Sequence, residues 1–474
     1  MSVRWTQVKK LRSVDEFRAH CASLGIEIPI ADTVDPAGSL ADPVQFRDGS
    51  GAVLTAPNRF AVLPMEGWDG TTDGRPTDLV RRRWSRFGSS GCGLVWGEAT
   101  AVRADGRANP NQLILDDSTV EEIADLRRLL DPGQVSGLQL THSGRWSRPE
   151  GVAQPRIVYR HPVLDRRVGL DGDAGVPAVL TDGELDELAE CYIAAAVLAQ
   201  HAGFEFVDVK HCHGYLLHEL LTGYDREGRF GGDLAGRSEF LRTVVGGIRE
   251  RAPGLAVAVR LSAFDFMPFT AGEGGVGTPE SADPYRYAFG GDDTGLGVDL
   301  TETHALLDLF SELGIGLVSA TAGSPYYNPH VQRPAFFPPS DGYQPPEDPL
   351  VGVARQLAVT ADLAAAHPDL TIIGTGYSYL QDWLANVGQA VVDGGGASMI
   401  GLGRMILSYP ELAADTLRGR ELDTRLICRT FSDCTTAPRN GLVSGCFPID
   451  PFYKEHPQRV ELTRAKKEAK TRLR

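Results

Sequence analysis

The sequence predicts an α/β fold in which a single (β/α)8 barrel, the TIM-barrel architecture, fills residues 58–420. Short apolar or β-branched segments alternate there with longer amphipathic ones, and this pattern repeats about eight times. No long connection divides the repeats into two halves, which favours a closed barrel over an open doubly wound sheet. Three loops after predicted strands, at 142–181, 264–300 and 321–349, are rich in Gly, Pro and aromatic residues. Because all three leave the same barrel face, they predict pocket walls.

The predicted elements follow one another in strand–helix order. The third helix shows the clearest pattern, because apolar residues from Leu185 to Ala196 recur at steps of three and four. The predicted strands lie at 59–65, 93–99, 135–141, 204–210, 255–261, 315–320, 370–374 and 397–401. The predicted helices lie near 77–90, 118–130, 182–201, 233–251, 301–313, 350–366, 379–394 and 404–418.

Two regions are predicted to flank the barrel. Residues 1–57 form an N-terminal extension of helix and loop, and Ser13 with Glu16 gives the capping-box pattern of a helix start. Residues 421–474 form an irregular, Cys-containing tail that ends, from Lys454, in a basic helix. That basic end is either a solvated, frayed helix or an arm that docks on a partner.

The bulk properties of the chain exclude several classes of partner. With 474 residues, of which 42% are hydrophobic, the chain has ample core material. A net charge of −15 argues against nucleic acid or an anionic membrane as the main partner. No apolar run reaches the ~18–20 residues of a membrane span, and the first residues lack the apolar core of a signal peptide. Seven scattered cysteines fit a reducing compartment. We expect a cytoplasmic protein that acts on a small molecule, and a homo-oligomer remains open.

Glycine-rich corners end the seventh and eighth predicted strands. Gly374 and Gly376 follow one strand, and Gly403 and Arg404 follow the next. Backbone N–H groups and helix dipoles at such corners bind anions, and a guanidinium adds a fixed positive fork. Glycine corners are also common for steric reasons alone. Two of them in consecutive final units nevertheless predict a phosphorylated ligand, because that is the usual phosphate site of these barrels.

Three polar side chains end other predicted strands. Lys210 is the only lysine between residues 11 and 453, a stretch with 35 arginines, and it stands at a strand-to-helix corner. It is either a solvated surface residue or a functional ammonium group. Arg260 and Gln139 end the fifth and third strands. A guanidinium inside a barrel requires an anion or another polar acceptor, so Arg260 takes part in either an internal ion pair or a ligand contact. Gln139 is likewise either a ligand-binding amide or an amide whose hydrogen bonds are satisfied within the core.

Several sequence blocks together resemble one known family, the old yellow enzymes. This family comprises NADH:flavin oxidoreductases with ene-reductase-like barrels. The blocks occur in the family's order across about residues 55–420. The resemblance implies a (β/α)8 barrel that holds flavin mononucleotide (FMN) at its C-terminal mouth, with NADPH or NADH as the reductant. The blocks are 58–65 (Asn-Arg-Phe-Ala-Val-Leu-Pro-Met), 139–145 (Gln-Leu-Thr-His-Ser-Gly-Arg), 213–219 (His-Gly-Tyr-Leu-Leu-His-Glu), 230–232 (Phe-Gly-Gly) with Arg237, and 401–404 (Gly-Leu-Gly-Arg).

The resemblance also assigns residues to the flavin. It places the residue that follows Pro64 and Met65, here Glu66, close to the flavin N5, where the family usually has a neutral or thiol side chain. Glu66 either pairs with Lys210 or turns outward into a loop. The cofactor-binding residues implied in this way are Pro64, Met65, Glu66 and Ala99 along the isoalloxazine ring, Gln139 and Arg260 at its pyrimidine part, and Gly376, Gly403 and Arg404 at the phosphate.

For catalysis, Tyr215 matches the family's proton-donating tyrosine. A phenol of pKa ~10 is a suitable acid for a developing carbanion. Family members use a further pair of residues, three apart, to bind an oxygen of the substrate. Here that pair is Lys210 and His213, and the family usually has His where this chain has Lys210. An ammonium would bind a carboxylate or phenolate oxygen strongly, or alternatively form an imine with a carbonyl.

We expect no metal site. His211, Cys212, His213 and His218 include metal-ligand types, but a change from strand to helix would scatter them. The tail contributes a Cys-x5-Cys-x11-Cys pattern at residues 428–446. Larger relatives hold a four-cysteine iron–sulfur cluster in this region, and a fourth cysteine is missing here. The three cysteines are therefore interpreted as a relic or as simple packing.

The leading functional hypothesis is an FMN-dependent NAD(P)H oxidoreductase that reduces an activated alkene or related electrophile in a ping-pong cycle. One alternative is an amine-oxidising or demethylating flavoenzyme of the trimethylamine dehydrogenase-like branch. Such an enzyme requires an outlet for electrons. The other alternative is a flavin-binding module without turnover, in which Lys210 and Glu66 have disabled catalysis. The natural substrate and the choice between NADH and NADPH are not predicted.

Overall fold

The computed structural model describes residues 5–48, 50–281 and 284–472. Eight parallel strands form a closed barrel in which each strand pairs with the next along the chain and the last pairs with the first. The predicted (β/α)8 barrel is therefore confirmed. We number its strands β1 (Phe60–Val62), β2 (Leu94–Ala101), β3 (Val135–Thr141), β4 (Phe206–Val209), β5 (Ala256–Phe264), β6 (Leu317–Ala322), β7 (Thr371–Gly374) and β8 (Met399–Leu402).

A helix follows each barrel strand and covers its outer face. The predicted eighth helix is interrupted, because Pro410 cannot continue the helical hydrogen bonding from Met405–Ser408. The fourth predicted helix also divides, with a short turn of helix at Leu234–Arg237 before the main helix. The main helices are α1 (Asp78–Gly88), α2 (Val120–Arg128), α3 (Asp182–His201), α4 (Glu239–Arg251), α5 (Thr301–Glu312), α6 (Pro349–Ala366), α7 (Leu384–Asp393) and α8 (Leu412–Leu417).

The N-terminal extension closes the bottom of the barrel. A helix at Val14–Ser23 is capped by Ser13, whose hydroxyl accepts from the Glu16 N–H at 3.1 Å. A β-hairpin of Val44–Arg47 and Val53–Ala56 follows, where the sequence analysis expected a loop. Its inward side chains join the apolar interior of the barrel, and that burial is what stabilises so short a hairpin.

The C-terminal tail ends in a helix, as predicted, and the segment before it contains two further short helices that were not predicted. It contains helices at Asp433–Arg439, Pro451–Lys454 and Arg459–Arg472, which share a small apolar cluster. The basic helix packs on the first of them, with the Lys466 ammonium 2.5 Å from the Asp433 carboxylate. Within the part of the chain that the structure describes, no helix is long and apolar enough to cross a membrane.

The tail also contacts the long loop after β6 and roofs the barrel mouth. The Arg439 guanidinium donates to the Pro325 carbonyl at 2.8 Å and pairs with the Asp341 carboxylate at 2.6 Å. Arg333 donates to the Ser432 hydroxyl at 3.0 Å. The upper face of the barrel is thus walled by loops and tail together.

Candidate active site

A cavity of about 220 Å³ opens at the C-terminal ends of the strands. All but one of the predicted site residues line this cavity, and the exception is Gly374. It ends β7, where an added Cβ would lie 2.9 Å from the Tyr377 hydroxyl oxygen. The structure therefore brings together residues predicted from seven different sequence segments. Those in the wall are Pro64, Met65, Glu66, Ala99, Gln139, Lys210, His213, Tyr215, Arg260, Gly376, Gly403 and Arg404.

At the base of the cavity, the buried carboxylate of Asp208 on β4 orders the polar groups around it. It accepts hydrogen bonds from the Gln139 amide nitrogen at 2.5 Å, the Trp96 indole at 2.9 Å and the Arg260 backbone N–H at 2.8 Å. Because the Gln139 nitrogen donates to Asp208, its amide oxygen is left as the acceptor for a ligand. Sequence reasoning missed Asp208, although a charged residue inside an apolar strand is itself a signal of fixed partners.

Arg260 extends from β5 into the same part of the cavity. Within the described ranges its one side-chain hydrogen bond is long, 3.4 Å from Nη1 to the Pro64 carbonyl oxygen. Among the described residues its buried Nε has no partner. Burial lowers the pKa of Arg260, although Cys212 and Asp208 act in the opposite direction. A buried guanidinium with free donors beside the Gln139 acceptor fits a flat ligand whose edge carries both N–H and C=O groups.

The opposite end of the cavity gathers positive charge. Arg404 lies beside Arg333 and Arg439, and burial together with the charge of Arg333 lowers the pKa of Arg404 to about 9. A Cβ added at Gly403 would meet no atom within 4 Å, so the backbone there faces open space. Gly376 has φ +93°, which favours glycine. The three arginines repel one another and lie near the open backbone of Gly403. An anion such as phosphate would neutralise their charge and accept their hydrogen bonds. Sequence reasoning missed Arg333 and Arg439, which come from a long loop and the tail.

Near the catalytic end, Tyr215 lies between a cation and a second phenol. The Lys210 Nζ is 3.6 Å from the centroid of the Tyr215 ring. The hydroxyls of Tyr215 and Tyr326 share a hydrogen bond of 2.9 Å. Tyr326 in turn stacks on Trp146, with ring centroids 4.4 Å apart and planes 7° from parallel. Burial raises the pKa of Tyr215 well above its usual value, and Glu66 adds to this effect. The phenol therefore keeps its proton at neutral pH.

Glu66 faces the cavity and does not turn outward into a loop. Its carboxylate accepts a hydrogen bond from the Trp68 indole. Burial raises the pKa of Glu66, while the positive charge of Lys210 lowers it. None of the ion pairs within 4.0 Å among the described residues joins Glu66 to Lys210. The two groups are thus coupled through the field inside the cavity and not by direct contact.

His213 has a left-handed backbone, with φ +65°, at the corner after β4. Its N–H donates to the Ser262 hydroxyl at 3.0 Å, and its Nε2 lies 3.4 Å from the Thr321 hydroxyl. Burial lowers the pKa of His213 well below its usual value, and Arg260 contributes to this. A neutral imidazole is therefore available to hydrogen-bond a ligand oxygen.

The other candidate metal ligands are engaged in local hydrogen bonds. His211 Nδ1 lies 2.6 Å from the Val209 carbonyl, and His218 Nδ1 accepts from the Gly214 N–H at 3.0 Å. Cys428, Cys434 and Cys446 are free thiols. Across the described ranges, no group of three or more His, Cys, Asp or Glu side chains is arranged to hold a metal ion.

The match to a protein-family model establishes the family of this chain. The model of the NADH:flavin oxidoreductase / NADH oxidase family matches residues 43–277. The chain belongs to the old yellow enzyme family. The family predicted from the sequence blocks is therefore confirmed, and so is FMN as its cofactor. The orphan donors of Arg260 and the arginines around Gly403 are the features of the cavity that fit the ring and the phosphate of FMN.

Individual members of the old yellow enzyme family are similar at moderate identity. An NADPH dehydrogenase from Bacillus subtilis is 24% identical over 396 residues, which is 82% of this chain and 97% of the relative. Another, from Geobacillus sp., is 29% identical over 222 residues, covering 45% of this chain and only 62% of the relative. The solved old yellow enzyme homologue from Zymomonas mobilis is 21% identical, with a TM-score of 0.55 over 81% of this chain and 94% of its own. That likeness confirms the fold.

Gly403→Ala is expected to weaken FMN binding at least ~10-fold, because the new methyl group would occupy the space at the phosphate end. The fold should be unaffected, since the methyl meets no protein atom within 4 Å. FMN titration and urea unfolding would measure the two effects. Gly246→Ala on α4 is the matched control, because its Cβ also meets nothing within 4 Å but lies outside the cavity wall. Equal FMN affinity in both variants would contradict the assignment of Gly403.

Asp208 should impose a pH dependence on stability. Burial raises its pKa to about 6, although hydrogen bonds from Gln139 and Arg260 oppose the rise. Its stabilising contribution is therefore complete below pH ~4 and is lost as the pH rises through 6. Relative to Asp208→Asn, the free energy of unfolding of the flavin-free protein should fall by up to ~3 kcal/mol between pH 4 and pH 7. A constant difference in urea titrations at pH 4, 5, 6 and 7 would exclude this role.

Proposed function

We propose that the protein is an FMN-dependent oxidoreductase that takes hydride from NADPH or NADH and passes it to an activated alkene in a ping-pong cycle. The observation that carries this proposal is the continuity of one cavity. It joins the arginines around Gly403, the Gln139–Arg260 pair and the phenol of Tyr215. A flavin held by the first two groups would lie in the same space as the proton donor.

The chain supplies a binding group for each part of the cofactor. Gly376, Gly403 and Arg404 would hold the phosphate, and Arg333 and Arg439 add positive charge there. Gln139 and Arg260 would meet the pyrimidine edge, while Pro64, Met65 and Ala99 would line the ring. Bound FMN supplies the hydride chemistry, accepting two electrons from a nicotinamide and delivering them to the acceptor.

The remaining residues act on the acceptor. His213 and Lys210 would bind the oxygen of its activating group, and both line the cavity. Tyr215 would give its hydroxyl proton to the carbon next to that group, in the role of a general acid. Tyr326, which is stacked on Trp146, closes the space above Tyr215 and limits the access of water. With these residues the chain can bind, orient and protonate an electron-poor C=C bond.

The test uses the flavin as its own indicator. The purified, FMN-loaded protein should bleach when NADPH or NADH is added without oxygen, and 2-cyclohexenone should restore the yellow colour. Bleaching by trimethylamine without a nicotinamide would instead indicate the amine-oxidising alternative. If neither NADPH nor NADH bleaches the yellow protein, the proposed oxidoreductase activity is wrong, and a flavin-binding module without turnover is the remaining alternative.

We further propose that the protein works in the cytoplasm, where both nicotinamide reductants are available. All seven cysteines are free thiols, in keeping with a reducing compartment. The similar proteins from Bacillus subtilis and Geobacillus are NADPH dehydrogenases, which makes NADPH the reductant to test first.

A further inference from the structure

Lys210 is placed to act on the proton donor as well as on a ligand. Its Nζ lies 3.6 Å from the centroid of the Tyr215 ring, which is a cation–π contact. The two side chains are only 4% and 5% exposed, so water screens the contact very little. None of the hydrogen bonds or ion pairs recorded for the described residues engages the ammonium. The ring of Tyr215 is thus in direct contact with this charge.

The neighbours of Tyr215 hold its ring in place beneath the ammonium. The hydroxyl is fixed by Tyr326 at 2.9 Å, and Tyr326 is itself held by its stack on Trp146. Burial lowers the pKa of Lys210, while the negative charge of Glu66 opposes this and supports the charged form of Lys210. The arrangement is a cation, a phenol and a carboxylate in one sheltered space. Arg260 also adds positive charge near Lys210.

We propose that Lys210 acts through Tyr215: its ammonium stabilises the phenolate that forms as Tyr215 gives up its proton. This inference rests on the proposed function. A neutral phenol ring attracts the cation only through its quadrupole, whereas a phenolate carries a full negative charge. The attraction is thus greater in the transition state than in the ground state, and only such a difference accelerates the step.

The proton-transfer step balances without a further reagent. Bound FMN would supply the hydride that adds to one alkene carbon, which would leave an electron pair on the carbon next to the activating group. The O–H bond of Tyr215 breaks as that electron pair forms the new C–H bond. The phenolate of Tyr215 then recovers a proton from water. Lys210 keeps its own proton throughout and contributes only its charge.

The role of Lys210 as an oxygen ligand and its role on Tyr215 predict different kinetics. A ligand for the acceptor oxygen lowers the dissociation constant of the acceptor. A group that stabilises the phenolate raises the limiting rate of reoxidation and leaves that dissociation constant nearly unchanged. Rapid mixing of NADPH-reduced, FMN-loaded protein with increasing 2-cyclohexenone separates the two quantities.

The informative variants are Lys210→Met, which removes the charge, and Lys210→Arg, which keeps a cation able to lie on an aromatic ring. We expect Lys210→Met to lower the limiting rate about 10- to 100-fold and Lys210→Arg to restore most of it. Lys210→Gln replaces the Met variant if that protein does not fold. An unchanged limiting rate with weaker acceptor binding would overturn the inference.

A double-mutant cycle provides the decisive control. In the Tyr215→Phe background no phenolate forms, so only the contact of Lys210 with the acceptor oxygen remains, and Lys210→Met should lower the limiting rate at least about 5-fold less than it does in the wild type. An equal loss in both backgrounds would show that Lys210 does not act through Tyr215. Failure of the wild-type protein to be reduced by NADPH or NADH is a separate outcome, because it rejects the proposed function before Lys210 is tested.

Discussion

Replacing Tyr215 by Phe should slow reoxidation of the reduced protein by 2-cyclohexenone by roughly 10²- to 10⁴-fold, the usual contribution of a positioned general acid. Only the hydroxyl is lost, so the ring remains under Lys210 and the cavity keeps its shape. Reduction by NADPH transfers hydride without a proton from Tyr215 and should proceed at the wild-type rate. Anaerobic stopped-flow absorbance of the flavin follows the two half-reactions separately.

Tyr326→Phe is the matched control for that experiment. It removes the hydroxyl that lies 2.9 Å from that of Tyr215 and leaves the stack on Trp146 intact. Because Tyr326 only orients the donor, its loss should cost much less than the loss of Tyr215. If Tyr215→Phe slowed both half-reactions to the same extent, Tyr215 would not be the proton donor.

Arg260→Ala should weaken FMN binding by about 1.5–3 kcal/mol, the usual cost of losing a hydrogen bond that involves a charged group. The flavin-free protein should lose little stability, because the guanidinium has no ion pair there and one of its buried nitrogens has no partner among the described residues. The affinity for FMN would therefore fall, while the free energy of unfolding of the flavin-free protein would stay nearly the same. Fluorescence of released FMN and urea unfolding measure the two quantities on the same sample.

Arg107→Ala tests whether any buried arginine of the barrel mouth gives the same result. Arg107 is 9% exposed, donates to the Thr72 and Pro110 carbonyls and lies outside the cavity wall. Its removal leaves two carbonyls unpaired, so it should lower stability and leave FMN affinity unchanged. FMN retention by Arg260→Ala equal to that of the wild type would remove Arg260 from the cofactor site.

The barrel could be predicted from sequence because its strands are short, β-branched and locally patterned. Strand β3, for example, is buried along its whole length and carries its one cavity-lining amide, Gln139, near its end. The hairpin around Phe46 was missed because its strands are only four residues long and are stabilised by the barrel interior. The two shorter helices of the tail were not predicted, although the basic helix at its end was. Their apolar residues are few, and Ala437 and Tyr453 are buried only within the small cluster that the tail itself forms.

The residues of the candidate site likewise fall into two groups, those that could be predicted from sequence and those that could not. Residues at strand ends, such as Gln139 and Arg260, could be found because the topology alone brings them together. Arg333, Arg439 and Tyr326 could not, since long loops and the tail place them through contacts between residues distant in sequence. The orientation of Glu66 depends on the Trp68 indole and the field of Lys210, which no sequence pattern encodes.

The tail that walls the positively charged end of the cavity has a consequence for exchange of the nucleotide. Arg439 joins the tail to the segment around Pro325 and Asp341, and both Arg439 and Pro325 line the cavity. If a bound nucleotide leaves on this side, these contacts must break first, and the lifetime of the complex would then depend on the tail. Slow release of the nucleotide would then reflect the contacts between tail and loop in addition to the contacts that the protein makes with the flavin ring.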